Sequence, residues 1–241
     1  MIDTITCTTV LLDAGGILYI PDHDIALNAA RAFGVALDPE DIDAAHYAAC
    51  VAFEAIAVVG DPHEPFWGPY LERYAAALFP DCESPLGFAE LLRVEFRRIP
   101  IWQRIAPDAI AGLAALQATG ARLGIVSNHN GTLAAMLHRD GIASIRHNDP
   151  EVAVCVETII DSHVVGLRKP GAEVFHCALR NMNVSADDCI YVGDMPAIDV
   201  VGAHNAGIRP LVMDPHGAHG LQPRYATIRS LRELAANLIV Q

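Results

Sequence analysis

The sequence predicts an α/β protein, a doubly wound, Rossmann-like parallel sheet carrying an inserted helical module. Three observations lead there. Short β-branched or aliphatic runs recur at residues 8–12, 123–126, 158–160, 189–192 and 210–213, each followed by a helical pattern. Polar residues collect where those runs stop, at Asp13, Ser127 with Asn128, Asp161 with Ser162, and Asp194, and parallel sheets bind ligands at that end of their strands. Between the first run and the second, residues 19–104 carry helical patterning instead of strands.

In chain order, the first run ends in Asp13-Ala14-Gly15-Gly16, a carboxylate beside backbone with little side-chain cover, which lets a phosphate or a metal come close. The interval that follows reads as helices over 25–33, 39–58, 65–78 and 84–98, separated by Gly34, by Gly60 with Pro62, and by Pro80. Its aromatic residues, among them Phe53, Phe66, Tyr70 and Trp102, are expected to pack its core. The division expected is therefore a core of residues 1–18 and 105–241 and a helical cap of residues 19–104. Farther on, residues 123–126 deliver Ser127 and Asn128 ahead of a helix expected near Gly131, whose free N–H groups suit an anion. Lys169 sits in the turn Gly-Leu-Arg-Lys-Pro-Gly. The run 189–192 delivers Gly193-Asp194, with Asp199 five residues later, an acidic pair suited to a hard divalent cation.

Composition narrows the class of function. The 241 residues are 52% hydrophobic and 19% charged, enough for a sizeable core and far from the signature of disorder. A net charge of −13 repels nucleic acid and anionic lipid, so neither is an expected partner, and an anionic substrate needs a local cationic device. The 16 basic residues are 15 arginines and one lysine, Lys169. Six cysteines without a C-x-x-C pair, no leader-like N-terminus and no apolar run of membrane-spanning length point to the cytoplasm.

The ordered set DAGGIL, IVSNHNG, GLRKPGAEVF and YVGDMPAIDVVGAHNAG resembles the four motifs of the haloacid dehalogenase superfamily, in the subclass whose helical cap follows the first motif. That resemblance implies a hydrolase, most simply a phosphatase of a small phosphorylated metabolite. Asp13 is then the nucleophile, attacking phosphorus in line to give an aspartyl-phosphate. Mg²⁺ is held by Asp13, the Gly15 carbonyl and Asp194, with Asp199 orienting water of the ion. Ser127 and the Asn128 backbone bind the transferring oxygens, and Lys169 offsets the negative charge.

One position departs from the phosphatase pattern. A second aspartate usually stands two residues after the nucleophile, as acid and base, and here that residue is Gly15. Three readings follow: a phosphatase of substrates with good leaving groups, or one that borrows an acid such as His23 or His129; a metal-independent 2-haloacid dehalogenase-like hydrolase; or a weakly active binding or regulatory protein on the same fold. The aromatic-rich cap is also compatible with a homodimer.

Overall fold

The computed structural model describes residues 4–57, 67–81, 85–220 and 224–240. Its main sheet contains β1 (Thr9–Leu12), β4 (Arg122–Ser127), β5 (Thr158–Asp161), β6 (Cys189–Gly193), β7 (Arg209–Met213) and β8 (Thr227–Ile228), with β2 (Tyr19–Pro21) and β3 (Trp102–Ile105) forming a separate ribbon. The order in the sheet is β8-β7-β6-β1-β4-β5, parallel throughout. β1 lies at the centre, with Leu12 opposite Ile125 on one side and Val192 on the other. The ends of β1, β4 and β6 are therefore neighbours, and the polar residues after them share one rim.

Both faces of the sheet are buried, as the near-continuous apolar runs require. Successive side chains alternate between two cores. Val10, Leu12, Ile125, Ile190 and Val192 join one, whereas Leu11, Val126 and Tyr191 join the other with Phe175. Helices α5 (Ala109–Ala118) and α9 (Leu231–Asn237) pack together on the first face. Helices α7 (Ala172–Met182) and α8 (Asp199–Asn205) pack together on the second, and α6 (Leu133–Arg139) follows β4.

Between β2 and β3 lie α1 (His23–Phe33), α2 (Pro39–Ala57), α3 (Trp67–Leu78) and α4 (Pro85–Arg98). Asp22 caps α1, its carboxylate accepting from the Asp24 N–H at 2.9 Å, and Gly34 ends it in the left-handed region at φ 80°. These helices bury a core of their own from Ile25, Ile42, Tyr70, Tyr74, Phe88 and Leu92, which Met195 enters from the sheet side. Phe66 and the loop expected around Gly60 and Pro62 lie outside the described residues. The ribbon was not foreseen: β2 and β3 pair antiparallel, Tyr19 opposite Ile105, so the two crossings into and out of the insert are hydrogen-bonded to each other. Among the described residues no helix is long and apolar enough to cross a membrane.

Candidate active site

Asp13 follows β1 and is only 8% exposed. Its backbone N–H extends the sheet by donating to Val192 O at 2.9 Å. Its Oδ1 accepts from the Ala14 N–H at 2.7 Å and its Oδ2 from Lys169 Nζ at 2.6 Å, so the carboxylate is fixed at both oxygens. The same ammonium donates to Asp199 Oδ1 at 2.7 Å and Tyr191 Oη at 2.8 Å, which uses all three of its hydrogens. Asn128 at the end of β4 clamps the lysine from behind: its amide donates to Lys169 O at 3.0 Å while its oxygen accepts the Lys169 N–H at 2.9 Å. Ser127, the last residue of β4, is buried at the same rim.

Asp194 follows β6, where it packs against the turn after Asp13. Gly16 adopts φ +68°, and a Cβ there would stand 2.1 Å from Asp194 Cγ, so this glycine is required by conformation and by space together. Gly15 does not lie in the left-handed region. The carbonyls beside it are taken, that of Ala14 by the N–H groups of Leu18 and Tyr19 and that of Gly16 by the Tyr47 hydroxyl at 2.8 Å, and the Gly15 carbonyl accepts none of these bonds. The space a side chain at Gly15 would enter is closed by the Trp102 indole, 3.3 Å from the position of such a Cβ.

Electrostatics follow from burial. Asp13 is pushed up to about 7, first by desolvation and then by the charges of Asp199 and Asp194, against the pull of Lys169. Burial would lower Lys169, but Asp13 and Asp199 together hold it above the ordinary lysine value. Lys169 is thus held charged, whereas Asp13 keeps a proton far more readily than an exposed aspartate.

All seven expected site positions, Asp13, Gly15, Ser127, Asn128, Lys169, Asp194 and Asp199, lie at or just beyond the sheet's carboxyl edge. Three details differ from expectation. The helix expected near Gly131 begins at Leu133, and the N–H groups of Gly131 and Leu133 already donate to the Asp161 carboxylate at 2.9 and 3.2 Å, so these two donors are not open to an anion. His23 is held by Asp43 at 3.0 Å, and His129 lies beside Asp161, 3.5 Å away, so each candidate acid stands next to a carboxylate outside the Asp13 cluster. Asp199 has both oxygens engaged, Oδ1 by Lys169 and Tyr191 and Oδ2 by the N–H groups of Asp194 and Met195 at 3.2 and 2.9 Å.

The sequence reading missed the residues that α2 sends to this rim. His46 Nε2 lies 2.9 Å from Asp194 Oδ2, Cys50 Sγ donates to the same oxygen at 3.4 Å, and Tyr47 reaches Gly16. The signal was present in weak form, a histidine and a cysteine four residues apart on an alanine-rich helix. Tyr191, inside β6, was hidden as a strand residue.

Comparison with known proteins gives this geometry a family. The phosphoglycolate phosphatase of Rhodospirillum rubrum is 34% identical over 110 residues, covering 45% of this chain and 41% of that protein. The phosphoserine phosphatase of Thermus thermophilus is 31% identical over 162 residues, 65% of this chain and 57% of that protein. The chain thus matches about half the length of these curated relatives. The L-2-haloacid dehalogenase of Xanthobacter autotrophicus shares the fold, with a TM-score of 0.52 at 18% identity over 95% of this chain and 97% of that one. Fold alone therefore does not separate phosphorus from carbon chemistry. Residues 7–207 match the haloacid dehalogenase-like hydrolase family along most of the sequence, and the chain belongs to that family of hydrolases.

Proposed function

We propose that the protein is a phosphomonoesterase of small phosphorylated metabolites, with Asp13 as nucleophile and Mg²⁺ as its cation. One observation carries the reading: Asp13, Asp194 and Asp199 bring carboxylate oxygens within 4.8 Å of one another, all buried, around the single ammonium of Lys169. Oxygen donors from Asp13, Asp194 and the Gly15 carbonyl fit a hard divalent cation there, and Asp199, its own oxygens engaged, adds negative charge beside them. When bound, the ion supplies the positive charge that lets a carboxylate and a phosphoryl group meet. Asp199 acts here by position, anchoring Lys169 and the turn from Asp194 to Met195.

The chain's own residues do the rest. A carboxylate oxygen of Asp13 attacks phosphorus as the bond to the leaving oxygen breaks, and water then cleaves the aspartyl-phosphate to free phosphate and restore Asp13. Ser127 and the Asn128 N–H bind the transferring oxygens, and Lys169 offsets their charge. Residues 19–104 serve as the cap that excludes water over a core of residues 1–18 and 105–241. The metal-free carbon-centre reading is weaker, because burial, with the charges of Asp199 and Asp194 added, holds the Asp13 carboxyl well above the usual carboxylate range when no cation balances it.

The test is hydrolysis of p-nitrophenyl phosphate and a panel of phosphorylated and halogenated metabolites, with Mg²⁺ added or chelated. Mg²⁺-dependent phosphate release supports the reading; dehalogenation unaffected by chelation, or an inert protein that binds Mg²⁺, overturns it.

Two further outcomes are expected. Without metal, Asp13 binds its proton more tightly folded, at about 7, than unfolded, near the ordinary 3.8. The folded state therefore holds more protons between those values, and stability falls as pH rises through that window. Mg²⁺ should accordingly raise the melting temperature more at pH 8 than at pH 5, and equal shifts would contradict the assignment. Gly15→Asp should raise hydrolysis of alkyl phosphates more than of aryl phosphates, because poor leaving groups gain most from an acid worth about 10²- to 10⁴-fold, and an equal change in both steady-state rates would show that the acid does not belong at this position. The obstacle is the Trp102 indole and not backbone strain, so the variant is best read beside Gly15→Ala, which crowds Trp102 without adding an acid.

A further inference from the structure

We propose that His46, Cys50 and Asp194 form a second metal site, for a divalent transition ion of the zinc class, where α2 meets the sheet. The three are 0%, 1% and 3% exposed. His46 Nε2 and Asp194 Oδ2 are 2.9 Å apart, Cys50 Sγ and Asp194 Oδ2 3.4 Å, and Cys50 Sγ and His46 Nε2 3.9 Å. Zinc–ligand lengths of about 2.0–2.3 Å at tetrahedral angles separate neighbouring donors by roughly 3.3–3.7 Å. The observed distances are of that order; Cys50 Sγ also lies 3.7 Å from His46 Nδ1, so the thiol has to turn from the side of the ring toward Nε2 for the three donors to share one ion.

Donor chemistry sets this cluster apart from the oxygen site beside it. Imidazole and thiolate select zinc-like ions, whereas carboxylate and carbonyl select magnesium. The Cys50 thiolate supplies negative charge of its own, while Asp194 is shared: its Oδ2 faces His46 and Cys50, which leaves Oδ1 for the oxygen site. Binding releases the Cys50 thiol proton to solvent and moves the imidazole proton to Nδ1. Tyr70 is placed for that tautomer: its hydroxyl lies 2.9 Å from His46 Nδ1, where it accepts the N–H and points the Nε2 lone pair at the ion. His46 and Cys50, four residues apart on α2, present one face, and Asp194 comes from the end of β6. The ion thus joins the helical insert to the sheet, and three protein ligands leave a fourth position for a small molecule.

The experiment is titration of Co²⁺ into the metal-stripped full chain with Mg²⁺ in excess, read by absorption. One equivalent should produce a thiolate-to-cobalt charge-transfer band and the intense visible bands of four-coordinate cobalt. Cys50→Ser should remove the charge-transfer band. His46→Gln should weaken binding more than 100-fold, and Tyr70→Phe by roughly 10- to 100-fold with the band retained, as for loss of an outer partner. Asp13→Asn should leave the spectrum in place, so failure of the phosphatase reading and failure of this site are separately visible. A wild-type titration without thiolate absorption, or a band that survives Cys50→Ser, overturns the proposal.

Discussion

Asp13→Asn is expected to lower kcat for p-nitrophenyl phosphate by about 10⁴-fold or more, the scale on which loss of a nucleophile is felt, while raising the melting temperature of the metal-free protein. The two effects share a cause. Asp13 is desolvated beside Asp194 and Asp199, and its carboxyl is held up near 7, so its charge opposes folding whenever no cation is bound. An amide keeps the shape and removes the repulsion. Lys169 is not orphaned, because Asp199 at 2.7 Å and Tyr191 at 2.8 Å still accept from it. Steady-state rates and thermal unfolding in chelator check both halves. A variant that keeps activity within tenfold of wild type removes Asp13 from the nucleophile's role, and one that melts lower without metal contradicts the electrostatic account.

Lys169→Met is expected to be the most destabilising single change at the site. It leaves buried carboxylates facing one another with no ammonium between them, and breaking a buried pair from one side costs about 3–5 kcal/mol. At about 2–4 °C per kcal/mol for a chain of this size, the melting temperature should fall by roughly 6–20 °C. Hydrolysis should drop by about 10²- to 10³-fold, as for loss of a donor aimed at developing charge. Lys169→Arg should not restore it, since a planar fork does not fit a slot whose three acceptors converge on one nitrogen. The double variant Asp13→Asn with Lys169→Met should recover part of the lost stability, which a double-mutant cycle reads directly. Additive losses would show that the two side chains do not act on each other.

How far the sequence spoke depended on whether a feature was local. Asp13, Ser127, Asn128 and Asp194 are legible because each directly follows or ends an apolar run that can only be a buried strand, and parallel strands deliver their ends to one rim. The breaks at Gly34 and Pro80 fall where α1 and α3 end, for equally local reasons of backbone conformation. What could not be read was set by packing between distant segments. His46 reaches Asp194 across 148 positions only because α2 docks on the sheet edge. Asp161 captures the N–H groups ahead of α6 because β4 and β5 are neighbours, with Ser127 opposite Asp161, and no window around Gly131 reveals that strand. Asp199 reads as a metal ligand from its spacing, yet its oxygens are taken by Lys169, Tyr191 and two backbone N–H groups, the last two invisible without the fold of the turn.

The paired strands Tyr19–Pro21 and Trp102–Ile105 splice both tethers of the helical insert into one stalk. That stalk is rooted in the turn after Asp13, through the Gly16 N–H on Tyr19 O at 2.7 Å and the Trp102 ring lying over Gly15. With both tethers tied to each other and to that turn, the helical insert and the backbone beside Asp13 are one connected frame, in which neither tether shifts without the other.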